Sequence, residues 1–298
     1  MADAAKIKLL RQDRRFYFCV NVVLTLLVIT IIYPIILVIS SSFSAPSAVY
    51  AGRVFLWPVD LSVEGYKAVF KNRQIVSGAL NSVFYTGVGT LVNLVMTTLA
   101  AYPLARRTLP GRSIIMKLFV FTMFFSGGMI PNYILLMNLH LLNTRFALIL
   151  PGAISVYNMI LMRTFFQNIP AELNEAASID GCSDIRYLLQ IVIPLSKPII
   201  AVLALYYAVA HWNAYFNAMM YLTDQELAPL QLVLRDILVS NTISLSDIAD
   251  EETMRARQGI AELMKFSLIV ISSLPVMVIY PFIQKYFVQG VMLGSIKG

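Results

Sequence analysis

The chain has 298 residues, 58% of them hydrophobic and 13% charged, with a formal net charge of +7. A soluble domain carries about 25% charged residues, so this composition excludes an ordinary water-soluble fold and requires a bilayer as solvent. The basic excess reads as a membrane-topology signal, not a nucleic-acid footprint, because no basic patch is interleaved with aromatic residues and no nucleic-acid motif occurs.

Crossing a hydrocarbon core takes about 20 apolar residues in a helix. Six stretches lack Asp, Glu, Lys and Arg: Phe16 to Gly52, Gln74 to Ala105, Leu118 to Thr144, Phe146 to Met162, Pro198 to Thr223 and Phe266 to Gln284. They predict helices over about 16–40, 77–104, 114–137, 146–166, 199–222 and 263–286 of an all-α integral membrane protein. Long apolar runs argue against a membrane β-barrel, whose strands alternate in polarity.

The first run has basic residues before it and small residues after it, as a signal peptide does. Its length and Pro46 favour an uncleaved span. Lys6, Lys8, Arg11, Arg14 and Arg15 in the tail, and Arg106, Arg107 and Arg112 in a short loop, mark the cytoplasmic side. Alternation then places 41–76, 138–145 and 223–262 outside, and 167–197 with the C-terminus inside. Pro131 is expected to end the third span, leaving Asn132 to Arg145 as a short helix or loop, and Pro151 interrupts the start of the fourth. In the outer loop, Leu230 to Val239 reads as an amphipathic turn. Asp247, Asp250, Glu251 and Glu252 read as a solvated cluster, since the spacing does not follow a calcium loop. Cys19 and Cys182 have no CxxC or Cys/His spacing and are read as free thiols.

The polar stretch from Gln167 to Pro198 is too ordered in pattern for a linker. Pro170 suits a helix start, and Ala171 to Ile179 has high helix propensity. Gly181 can take the left-handed conformation that ends a helix. Ser183 or Asp184 can cap a second helix running to about Ile193, broken by Pro194 and Pro198. The prediction is a stiff helix–turn–helix elbow between two spans.

Glu175, Ala176, Ala177, Gly181, Ile191, Ile193 and Pro194 fit the pattern EAA, three residues, G, nine residues, I, any residue, L, P, with Ile193 in place of the usual leucine. On these residues the chain resembles the permease subunits of binding-protein-dependent ABC importers. The segments FFSGGMIPNYILLMNLHLLNT, MRTFFQNIP, HWNAYFNAMMYL and FVQGVMLGSIKG resemble the carbohydrate branch, including the shorter maltose-type and multiple-sugar permeases. The resemblance implies a type I importer permease of MetI-like architecture in the bacterial plasma membrane. It implies a cytoplasmic tail at 1–15, a six-helix domain at 16–286 carrying the coupling segment 167–197, and a cytoplasmic tail at 287–298. The implied partners are a second permease forming a heterodimer, two ATP-binding subunits and an extracellular solute-binding protein. Glu175, Ala176, Ala177, Gly181, Ile191 and Pro194 are the implied ATPase-coupling residues. No GxxxxGK[ST] occurs, so ATP and magnesium are assigned to the partner ATPase, and this chain is assigned no cofactor, metal or catalytic residue.

Sugars are bound by hydrogen bonds and aromatic faces. On the fifth span, Tyr207, His211 and Tyr215 are expected on one face, with Trp212, Asn213 and Asn217 nearby, as candidates to line the substrate pathway. Asn132, Tyr133, Tyr157 and Asn158 are secondary candidates. The competing reading for all of them is hydrogen bonding between packed helices. Gly87 and Gly89 are read as packing residues. The alternative function is an autonomous carrier or channel for a neutral solute. It is disfavoured because the span centres lack the charges that ion coupling uses. A membrane-embedded enzyme has no nucleophile–base pair or metal cluster to support it.

Overall fold

A computed structural model describes the backbone of residues 11–240 and 251–295, with side chains at 16–239, 258–279 and 281. In chain order the helices are α1 (Arg11–Ser42), α2 (Pro46–Tyr50), α3 (Glu64–Lys71), α4 (Arg73–Ala105), α5 (Arg112–Phe124), α6 (Met129–Asn138), α7 (Phe146–Ile149), α8 (Val156–Gln167), α9 (Ala171–Ile179), α10 (Asp184–Tyr187), α11 (Ile193–Leu195), α12 (Lys197–Trp212), α13 (Phe216–Tyr221), α14 (Leu230–Ser240) and α15 (Glu251–Ser295). A π turn, Leu188–Val192, joins α10 to α11. Lys6, Lys8 and the cluster Asp247, Asp250, Glu251 and Glu252 lie outside the residues described with side chains.

Phe16–Ser42, Arg73–Ala105 and Gln258–Ile279 are long and apolar enough to cross a bilayer. Two bent pairs bring the number to five: α5 with α6, bent by 113°, and Asp184–Leu195 with α12, bent by 82°. The expected span over 146–166 is divided between α7 and the 12-residue α8. Twelve residues rise about 18 Å, short of a core about 30 Å thick.

Two expected helices break elsewhere than predicted. The third was placed to end at Pro131, but α5 stops at Phe124 and Pro131 sits in the first turn of α6. There a missing N–H has no intrahelical partner to lose. The break belongs to Gly128, at φ 86° and ψ −179°, a conformation open to glycine. The fifth helix, expected as continuous over 199–222, stops at Trp212 and resumes at Phe216. Asn213 Nδ2 donates to Val209 O at 3.0 Å. This is the competition with backbone bonding that makes asparagine a helix terminator.

The chain divides into two compact units, Met1–Lys71 with Asn241–Ile271 and Asn72–Ser240 with Ser272–Gly298. In the first unit the apolar length of α1 is exposed, while Ser40, Ser41, Ser42 and Ser44 at its end are buried. Ser42 Oγ lies 2.8 Å from Tyr66 OH, and Ser40 Oγ donates to Leu56 O at 2.7 Å. Gly65 lets α3 approach α15 closely, since a Cβ there would fall 2.7 Å from Leu263 Cγ.

The second unit is built on α4, which packs against α12, α8 and α14. Its buried residues are Ile75, Gly78, Asn81, Ser82, Tyr85, Gly89, Asn93, Thr97, Ala101 and Leu104. Their steps of three and four define one helix face, and small and polar residues predominate on it. Leu80, Val83, Leu91, Val95 and Leu99 are exposed. Such a distribution suits a bilayer, where apolar surface gains little from burial and small residues let backbones approach. Segment 230–239, expected as an amphipathic turn in an outer loop, is instead a helix seated on α4. Leu230 N–H donates to Ser82 Oγ at 2.8 Å, and Asn81 Nδ2 donates to Glu226 O at 2.6 Å.

Candidate functional site

The elbow is a helix, a glycine turn and a second helix. Gly181 has φ +71°. Cys182 N–H donates to Ala177 O at 2.8 Å and Gly181 N–H to Ser178 O at 3.1 Å, the paired bonds of a Schellman turn. Ser183, rather than Asp184, caps α10, accepting from Arg186 N–H at 3.4 Å. The second limb extends through Leu195, slightly beyond the expected end near Ile193, and tolerates Pro194. The π turn before it widens the helix where the proline ring would meet the carbonyl of Gln190.

The coupling candidates face in different directions. Glu175, Ala176 and Gly181 are exposed, as is Pro194, and Ile191 is half-buried. Ala177 is buried in the chain's own apolar core with Leu104, Phe166, Tyr187 and Val192. Its small side chain therefore brings α9 close to α4 and α8 rather than presenting a surface to a partner.

The elbow is held by a residue that the sequence reading treated only as a topology marker. Arg106 Nη1 lies 2.7 Å from Asp184 Oδ1. Its Nη2 donates to Asn174 Oδ1 at 3.2 Å and to Tyr102 OH, and its guanidinium stacks over the Tyr102 ring at 4.9 Å. One cation thus joins the end of α4 to both limbs. Arg163 Nε adds a bond to Leu104 O at 2.9 Å. Burial pushes the Tyr187 phenol up, against an opposing pull from Arg106.

The substrate candidates separate into two groups. Tyr207 is buried, with its hydroxyl 2.7 Å from Thr97 Oγ1 and accepting from Ser155 N–H at 3.4 Å. His211 Nε2 lies 2.6 Å from Asn93 Oδ1, and Asn93 Nδ2 donates to Gly152 O. Gly89 makes room for the imidazole, since a Cβ there would lie 2.5 Å from Nε2. Trp212 Nε1 donates to Ser272 O at 2.8 Å. These three side chains bond α12 to its neighbours. Asn213, Tyr215 and Asn217 are exposed. The break after Trp212 removes Tyr215 from the helix face it was expected to share with Tyr207 and His211. Of the secondary candidates, Asn132, Tyr133 and Tyr157 are exposed and Asn158 is buried. Gly87, expected to pack, faces open space.

A second polar cluster sits near the other end of α4. Arg145 lies over the Phe84 ring at 4.6 Å and donates to Asn81 Oδ1 at 3.3 Å. Asn143 Oδ1 accepts from Thr223 N–H and Asp224 N–H at 3.1 and 2.8 Å. Asn81 and Arg106 are 25 positions apart, about 37 Å along the helix.

Residues 10–293 match the family described as binding-protein-dependent transport system inner membrane component. The chain is 40% identical to the polygalacturonan/rhamnogalacturonan transport system permease protein YtcP of Bacillus subtilis (strain 168), over 96% of this chain and 100% of that protein. It is 42% identical to Protein LplC of the same organism, over 90% of each. It matches, at a TM-score of 0.86 and 36% identity, a chain in the crystal structure of a bacterial ABC transporter involved in the import of the acidic polysaccharide alginate. That match covers 93% of this chain and 98% of the other. With its helices, its elbow and a match along nearly its whole length, the chain belongs to the binding-protein-dependent transport system inner membrane component family and is an all-α membrane permease of MetI-like fold.

Proposed function

We propose that this chain is one permease subunit of an ATP-driven importer of oligosaccharides in a bacterial plasma membrane, with both termini cytoplasmic. It pairs with a second permease, two ATP-binding subunits that hold ATP and magnesium, and an extracellular solute-binding protein. The supporting observation is the elbow: a glycine-hinged pair of helices, clamped by Arg106 to the end of a long span, with Glu175 and Ala176 exposed. A lever must be stiff to transmit force. The Schellman turn and the Arg106 clamp make it so.

In this mechanism α9 enters a cleft of an ATP-binding subunit and Glu175 meets basic groups there. ATP favours the arrangement in which the two ATPase subunits close, and the elbows move with them. The population of outward-open permease rises by the difference in ATP affinity between the two arrangements. Asn213, Tyr215 and Asn217 stand as the pathway candidates on the exposed segment after α12.

The substrate reading is narrowed to acidic oligosaccharides by the relatives named for polygalacturonan and alginate. Arg145 supplies an exposed cation at the end of α4 away from the elbow, beside an aromatic ring, a combination suited to a uronate. The test of the overall reading is the complete complex carrying Glu175→Lys with Gly181→Arg. The expected result is loss of substrate-stimulated ATP hydrolysis and of uptake. Normal sugar transport by that variant would overturn it.

A further inference from the structure

Beside the elbow, the ends of α4 and α8 and the start of α5 surround a cavity of about 820 Å3. Arg106, Arg107, Arg112 and Arg163 line it, against one carboxylate, Glu175. Two of these arginines have defined structural work: Arg106 holds Asp184 and Asn174, and Arg163 Nε holds Leu104 O. Arg112 makes one long bond, at 3.4 Å to Arg106 O. Arg107 has no hydrogen-bond or ionic partner among the described residues. Cations gathered in one concavity repel one another unless an anion lies among them, and a concave wall focuses their field.

The helix leading away from this cavity is apolar and uncovered. No residue of α5 is buried, and Ile114, Leu118 and Phe121, at steps of four and three along one face, are 65, 61 and 55% exposed. A basic cavity at the first turn of a helix, continuous with an apolar stripe along that helix, matches a molecule with an anionic head and hydrocarbon tails. An acidic side chain of a partner protein would answer the arginines but not the stripe.

We propose that this cavity binds the phosphate headgroup of an anionic phospholipid, with Arg107 and Arg112 as its principal contacts and the acyl chains lying along α5. Basic pockets between membrane helices bind such headgroups elsewhere. Assignment to the inner leaflet rests on the orientation proposed above; the binding itself does not.

The test uses the whole complex, extracted with its native lipid and exchanged into nanodiscs of phosphatidylcholine with increasing phosphatidylglycerol. Retained lipid is read by native mass spectrometry and ATP hydrolysis in parallel. For R107Q/R112Q the expected result is about thirtyfold weaker retention of phosphatidylglycerol, near tenfold or less for each charge. K197Q, which removes an exposed cation elsewhere, should retain lipid as wild type does. R107K/R112K, which keeps the charges, should recover most of the retention. The proposal falls if wild type retains phosphatidylglycerol no better than phosphatidylcholine, if K197Q loses as much as R107Q/R112Q, or if the lysine pair restores nothing. It also falls if inorganic phosphate strips the lipid, which assigns the cavity to a free anion, or if hydrolysis changes in R107Q/R112Q while retained lipid does not, which assigns the arginines to the ATPase. Retention is read without transport. A complex that transports normally yet retains no lipid therefore refutes this site and leaves the permease reading intact.

Discussion

Arg106 and Asp184 meet at 2.7 Å and fasten the end of a long span to the second limb of the elbow. Asp184 is 72% exposed, so the pair contributes little to stability, about 0–1 kcal/mol as exposed pairs do. Its value is positional. We expect Asp184→Asn to leave thermal unfolding of the purified complex nearly unchanged while lowering substrate-stimulated ATP hydrolysis several-fold. Equal losses of stability and coupling would show that the pair merely supports the fold.

Gly181 separates backbone strain from crowding. Its φ is +71° and nothing lies within 4 Å of a Cβ placed there. A side chain therefore meets no steric contact and pays only the left-handed conformation, roughly 1–2 kcal/mol for ordinary residues. Gly181→Asn should assemble with the ATPase and transport, because asparagine visits this region readily. Gly181→Val should not, because its β-branch adds to the penalty. Co-purification of the ATPase with each variant decides the matter, and equal behaviour of the two would refute the explanation.

Gly89 and Gly87 are two residues apart and should respond in opposite ways to the same change. A methyl at Gly89 would press on His211, while at Gly87 it would meet nothing. Gly89→Ala should destabilise the protein by about 1–3 kcal/mol through overpacking of α4 on α12. Gly87→Ala should be neutral or slightly stabilising. Thermal unfolding in one detergent measures both.

Tyr207 and Tyr215 distinguish packing from passage. Removing the Tyr207 hydroxyl strands Thr97 Oγ1 and Ser155 N–H, so Tyr207→Phe should cost about 1 kcal/mol of stability with little effect on the concentration dependence of uptake. Tyr215→Ala and Asn217→Ala remove exposed groups and should change uptake at unchanged stability. If Tyr215 and Asn217 prove silent in uptake, the pathway lies elsewhere.

Arg145 tests the substrate class. Arg145→Gln should depress uptake of oligogalacturonides by about tenfold, the worth of one exposed charge-assisted contact, and leave a neutral oligosaccharide, if carried at all, unaffected. A uniform fall for both would assign Arg145 to the packing of Asn81 and Phe84.

The amino-acid sequence was sufficient for the elbow, because its determinants are local. Helix propensity over 171–179, a glycine able to reach positive φ and a serine cap are written within about twenty consecutive residues, and the structure places all three as read. The same is true of the apolar runs, whose composition alone requires a bilayer. A further signal was present but not read. Tyr85, Gly89, Asn93, Thr97 and Ala101 recur every four residues along α4 and mark its packed face, which in lipid is the small and polar one. Tertiary structure alone decided which groups of the fifth span serve packing and which stay exposed. Tyr207 finds Thr97 across 110 positions and His211 finds Asn93 across 118, and no spacing within one segment can show that. It also turned Ala177 inward, gave Arg106 its double grip on the elbow and gathered four arginines around one cavity. These depend on which helix ends meet, and that follows from the packing of whole helices rather than from the residues of any one of them.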